Sequence, residues 1–211
     1  TTGTTLWPSA QILACYIQAS AISYFSKVPQ DRRKGEEPPP VAVELGAGVG
    51  LTSMLLALLG WKIFATDIEP SLSTVLKPTI EANSDALSSA DGSCTALPLD
   101  WLAVDDTART LFGDSIDLIV TTDTIYASDL VDPLFRAIKA LATPGHTRIL
   151  LALERRDPAM VDGALQRARE VHGVSFKPID PEVIVKAAAA HGNKAWTSED
   201  IEDVQVLELT L

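Results

Sequence analysis

Val41-Ala42-Val43-Glu44-Leu45-Gly46-Ala47-Gly48-Val49-Gly50-Leu51 decides the fold. An apolar strand runs into an acid, a glycine-rich turn follows, and an apolar helix then opens. Downstream, Phe64-Ala65-Thr66-Asp67 ends a second strand in another acid, about 20 residues after the first glycine. Strand, glycine turn, helix and second strand-end acid are the layout of a nucleotide-type cofactor site at the carboxyl end of a parallel sheet. The glycine register excludes the dinucleotide version. G-x-G-x-x-G/A needs Gly or Ala at position 51, where this chain has Leu51, and its third glycine comes one residue early. A dehydrogenase is disfavoured on that ground.

The pattern E-x-G-x-G-x-G resembles motif I of the class I S-adenosylmethionine (SAM) methyltransferases. SAM carries no phosphate to seek a helix N-terminus; it has a sulfonium, an amino-acid tail and a ribose. On this resemblance Gly46, Ala47 and Gly48 form the cofactor loop, the two glycines letting backbone approach where a Cβ would collide. Glu44 is placed to orient the loop or to meet the ammonium of the tail. Asp67 is placed to accept hydrogen bonds from both ribose hydroxyls. The bland alternative, a tight turn with two incidental acids, does not account for the agreement of spacing, periodicity and second acid.

Composition sets the outer bounds. The 211 residues suit one domain with a full core, residues 1–40 supplying an N-terminal helix and a charged proline-rich loop and residues 41–211 a Rossmann-like core. At 46% hydrophobic, the chain is a globular one. A net charge of -11 argues against a nucleic-acid backbone as main partner and suits a lysine-rich protein or simple solubility equally. Cys15 and Cys94 have no metal-ligand spacing and imply a reducing compartment. His146, His172 and His191 also lack ligand spacing and are expected at the surface, so no metal is expected. No apolar run reaches membrane-spanning length. The chain begins at Thr1 rather than Met, which reads as a trimmed start.

Periodicity predicts the elements. Ile12, Leu13, Tyr16, Ile17, Ala21 and Tyr24 set a helix over 7–26, and Pro29–Pro40 a charged loop. Strands follow at 41–46, 62–67, 94–99, 116–121 and 148–153, with helices at 50–59, from Pro70 to Asn83, at 129–142 and at 158–171. Ser84, Ser88, Ser89 and Gly92 read as a polar loop. Val174–Lys177 and Val204–Leu211 read as a closing antiparallel pair around an alanine-rich helix, 182–190, and a polar loop, 191–203. Alternating strands and helices imply an α/β doubly wound, mostly parallel sheet of seven strands.

Three more elements fall at the strand ends where such sheets bind ligands. Asp100 and Trp101 follow strand three, placed for an adenine's amine and face. Thr122-Asp123-Thr124-Ile125-Tyr126 ends the central strand, where an acid and an aromatic can hold an incoming amine. Trp7 precedes the first helix.

Together these pieces resemble the protein-lysine methyltransferases of methyltransferase family 16, which modify chaperones and translation elongation factors. Trp7, in Thr5-Leu6-Trp7-Pro8, is similar to the family's N-terminal Trp that lines the cofactor pocket. Glu44–Gly48, Thr66-Asp67, Glu81-Ala82-Asn83, Leu99-Asp100-Trp101 and Glu154-Arg155-Arg156 follow its other motifs, and Asp123–Tyr126 its D-x-x-Y. The position before that motif, often Ala in the family, is Thr122 here; its backbone is expected to contact the cofactor. The resemblance implies SAM as cofactor, Asp123 and Tyr126 as catalytic residues, and a protein substrate presenting a lysine. Nothing in the sequence reads as a coiled coil or obvious interface, so a monomer is expected, without membrane partner and in a cytoplasmic or also nuclear setting. A small-molecule N- or O-methyltransferase and a SAM-binding scaffold without turnover are the alternatives. Residues 173–203, where substrate choice would be made, match no pattern.

Overall fold

A computed structural model describes residues 2–20, 38–105, 107–113, 115–193, 196–197 and 199–211. Seven strands form one sheet: β1 Val41–Leu45, β2 Lys62–Asp67, β3 Ser93–Pro98, β4 Leu118–Thr122, β5 Arg148–Glu154, β6 Ser175–Pro178 and β7 Val204–Thr210. Their order is β3-β2-β1-β4-β5-β7-β6. β1 to β5 pair in parallel and β7 runs antiparallel between β5 and β6. The chain winds outward from β1 to β3, then returns to lay β4 on the other side of β1. The connections after β1 and β4 therefore diverge, which opens a crevice at their carboxyl ends.

The central strands are apolar on both faces because helices cover both. Val43, Leu45, Ile119 and Leu151 pack under α5 (Val131–Leu141) and α6 (Pro158–His172). Ala42, Ile63, Leu118, Val120 and Leu150 pack under α1 (Pro8–Ser20), α2 (Leu51–Leu58) and α7 (Pro181–His191). This double burial explains why β4 reads as a continuous apolar run rather than an alternating one. In α5 the buried set Val131, Leu134, Phe135, Ile138 and Leu141 keeps helical spacing, with Arg136 and Lys139 outside. Asp157 caps α6 by accepting from the Met160 N–H (3.1 Å), Pro158 opens it, and Gly173 closes it at φ 70°.

The structure corrects several expectations. The polar stretch after Asn83 is a short helix, α4 (Ser84–Ser88), supported by Ser88 and Ser89 hydroxyls donating to the carbonyls of Asp85 (2.9 Å) and Ala86 (2.8 Å). The helix from Pro70 is in two parts, a π-helical stretch Leu72–Leu76 and then α3 (Lys77–Ala82). A 3₁₀ turn, Ser128–Leu130, precedes α5. His172 is not a surface residue: its side chain is 8% exposed, and its ring meets Asp132 at 3.0 Å, where Arg167 also binds. α1 is described to Ser20; the expected continuation through Ala21 and Tyr24, and the charged loop from Pro29 to Glu37, lie outside the described residues. Among the described residues, no helix is long and apolar enough to cross a membrane.

Candidate active site

The carboxyl ends of β1, β2 and β4 are tied together before any ligand is considered. The Thr66 hydroxyl donates to the Glu44 carbonyl (2.7 Å), and the Thr121 hydroxyl to the Leu45 carbonyl (3.0 Å). Thr121 and Thr124 also share a buried hydroxyl–hydroxyl bond of 2.7 Å. The glycine loop then leaves β1 with Gly46, Gly48 and Gly50 all in the left-handed region, at φ 68°, 54° and 78°.

Asp67 braces this loop. Its Oδ2 accepts from the Gly48 N–H and its Oδ1 from the Ile68 N–H, both at 2.8 Å. Each oxygen keeps a further lone pair for a hydroxyl donor. Glu44 does a different job. Gly50 stands at the N-cap of α2 and has no side chain to cap with. The Glu44 carboxylate, 1% exposed, accepts from the backbone N–H of Ser53 (3.0 Å) and from its hydroxyl. It thereby satisfies an open N–H of the helix and meets the positive end of its dipole. Burial pushes the Glu44 carboxyl up to about 7, the Ser53 bonds opposing. Of the positions expected for Glu44, the structure shows it bound to the helix that follows the loop, while it also lines the cleft at these strand ends.

A cleft partly open to solvent lies over these strand ends. Trp7, Glu44, Gly46, Ala47, Gly48, Asp67, Trp101, Thr122, Asp123 and Tyr126 all line it. Trp101 lies against the glycine loop: a Cβ built on Gly46 would stand 3.1 Å from its ring. Asp100 is the one expected site residue outside the lining; it is exposed and accepts from the Leu102 N–H (2.9 Å), closing a turn. The N-terminal segment crosses the loop, with the Gly3 carbonyl 3.5 Å from where a Gly48 Cβ would sit. Tyr126 is half exposed, and Leu6, also exposed, is a further lining residue.

Asp123 leaves β4 with φ 56°, a conformation non-glycine residues seldom adopt. Its N–H still donates to the Ala152 carbonyl (2.9 Å) while its carboxylate turns into the cleft and accepts from the Glu154 N–H (3.3 Å) and from Arg156. Arg156 was visible in sequence only as part of an acidic-basic element after β5. Its contacts with Asp123 and with the Trp7 ring join segments that no local pattern connects. Among the described residues, no group of three His, Cys, Asp or Glu is placed to hold a metal ion.

A sheet in this order, with a glycine loop and strand-end acids at its switch point, defines a Rossmann-like methyltransferase fold, and the solved structures agree. The METTL16 MTase domain superposes with a TM-score of 0.58 at 13% identity, covering 97% of this chain and 70% of that one. The chain belongs to the lysine methyltransferase family, whose sequence model matches residues 1–164. Among its relatives, the protein-lysine methyltransferase METTL21E of Mus musculus is 29% identical over 136 residues, 63% of this chain and 48% of that protein. The EEF1A lysine methyltransferase 3 of Xenopus tropicalis is 26% identical over 151 residues, 72% of this chain and 57% of that protein. The chain spans about half the length, or less, of the curated relatives it matches first.

Proposed function

We propose that the chain binds SAM in this cleft and transfers its methyl group to the Nζ of a lysine on a protein. The observation that carries the reading is the convergence of two sites in one cleft: the braced loop of Gly46, Gly48 and Asp67, and the Asp123–Tyr126 pair after β4. The charges fit the cofactor. Among the described residues that line the cleft, Asp67 and Asp123 are set against one cation, Arg156, so a pyrophosphate is disfavoured and a cationic ligand with a diol is suited. When bound, SAM supplies a methyl group on a sulfonium, electrophilic toward a neutral amine. Gly46, Ala47 and Gly48 would hold it by backbone, Asp67 by its free lone pairs, and Trp7 and Trp101 by their rings.

The chain's own residues then position the acceptor. Asp123 offers its remaining lone pairs to an amine N–H. Tyr126 supplies an aromatic wall that favours a methylated ammonium. Such placement replaces a chance encounter by a fixed geometry. The name of the Xenopus tropicalis relative supports a translation elongation factor as the first acceptor to test. Cys15 and Cys94, both free thiols, support a cytoplasmic or nuclear setting.

The test is incubation with radiolabelled SAM and a methyl-depleted eukaryotic lysate, with Asp123→Ala alongside. A few labelled protein bands, lost in the variant, are expected. SAM binding by calorimetry without any labelled band would overturn the protein-lysine reading and favour a small amine acceptor or a scaffold.

A further inference from the structure

Arg156 follows β5, yet its side chain reaches across the cleft. Its Nη2 donates to Oδ2 of Asp123, and its Nε lies 3.4 Å from Glu154. Its guanidinium stacks on Trp7, 4.3 Å from the ring centroid. The neighbouring Arg155 turns away to Asp162, at 2.9 Å. The Asp123 side chain is 6% exposed and that of Arg156 45%, so a carboxylate withdrawn from water meets a guanidinium that reaches it from the solvent side. One cation thus bridges the N-terminal segment, the end of β4 and the end of β5, at the point where an acceptor amine would enter.

The arrangement answers a chemical difficulty. A lysine ordinarily titrates near 10.4, and only its neutral form can attack a methyl group. A lone buried carboxylate beside it would stabilise the ammonium and lock the acceptor in its unreactive form. We propose that Arg156 is the positioning residue of the transfer: by keeping the Asp123 carboxylate ion-paired, it makes the acceptor site one that favours the uncharged lysine amine. The proposal rests on the lysine-transfer reading above.

The other charged and titratable groups at the cleft do not supply this balance. Glu44, from β1, is turned to Ser53; Asp67, from β2, is turned to the Gly48 and Ile68 amides. Glu154, from β5, lies on Arg156 itself. Tyr126 contributes a phenol, and Trp7 a neutral ring. With Arg156 in place, Asp123 still accepts a hydrogen bond from an amine, but its own charge is offset and rewards an ammonium less. The lysine proton goes to water, the amine keeps its lone pair, and no other bond changes at this stage.

The experiment follows label from SAM into lysate protein as a function of pH for the parent, Arg156→Lys and Arg156→Gln, with SAM affinity measured by calorimetry for each. The parent and Arg156→Lys should share the pH of their alkaline rise. In Arg156→Gln the rise should move up by about one pH unit or more, the size expected for an uncompensated carboxylate beside the amine. SAM should still bind, and labelling should be cut far more at pH 7 than at pH 9. Asp123→Asn should move the rise the opposite way, since a negative charge beside the amine is removed while Arg156 keeps Glu154 as its partner. Rates for Arg156→Gln that are unchanged, or lowered by one factor at every pH, overturn the proposal. Should that variant fail to bind SAM, an Asp123→Asn rise that stays in place overturns it instead. A parent that labels no protein at all overturns the lysine-transfer reading, and this proposal falls with it.

Discussion

Gly46 shows how little freedom the site has at the level of single residues. At φ 68°, an added Cβ would stand 2.9 Å from Thr124 Cγ2 and 3.1 Å from the Trp101 ring. Gly46→Ala should therefore cost about 1–3 kcal/mol of stability. The check is a lower urea midpoint with an unchanged slope, together with weakened SAM binding. Asp67 and Asp123 should separate cleanly. Asp67→Ala removes a charged acceptor from two backbone amides, a loss of about 1.5–3 kcal/mol that should raise the SAM dissociation constant about tenfold or more. Asp123→Ala should instead reduce turnover and leave SAM affinity within about threefold; calorimetry beside label transfer distinguishes the two. Most of these positions were legible in the sequence because each is a strand-end residue next to a glycine or aromatic punctuation mark. Asp100 shares that signature, and one of its oxygens closes a turn by accepting from the Leu102 N–H.

At the scale of elements, α2 depends on a residue outside itself. Its N-cap is a glycine, and Glu44 from β1 supplies the acceptor instead. The linkage has a definite sign. Burial raises the folded-state pKa of Glu44 from 4.5 to about 7, so its stabilising contribution is complete below pH 4.5 and declines as pH rises toward 7. The full effect is of order 3 kcal/mol. Glu44→Gln keeps an acceptor and removes the proton, so its unfolding free energy should be flatter between pH 4.5 and 7; denaturant titrations at several pH values test this. Strands and long helices were legible because double burial and 3.6-residue spacing leave marks in composition. α4 was not, because serines read as loop although their hydroxyls bond back to the helix they sit in. The burial of His172 was hidden for a similar reason: its partner Asp132 lies in a different helix.

For the whole molecule, the net charge of -11 sets how partners approach. A lysine-rich protein should be drawn in over distances that salt screens, so label transfer to protein should slow several-fold when ionic strength rises from about 0.05 to 0.3 M. Transfer to a small uncharged acceptor would not respond in this way, and stopped-time assays at both salt levels decide it. The mostly parallel sheet and its closing antiparallel pair were legible from alternation of strands and helices, but the crossing of the N-terminal segment over Gly48 and of Arg156 onto Trp7 was not, since both join distant parts of the chain. The cleft has one further property. Among the described residues, those lining it fall between Gly3 and Arg156, and none comes from α6, β6, α7 or β7. The cleft and the closing part of the chain are therefore separable by placement: β6, α7 and the turn before β7 can change without altering a cleft-lining residue, provided Ile184 and Ala188 still seal α1.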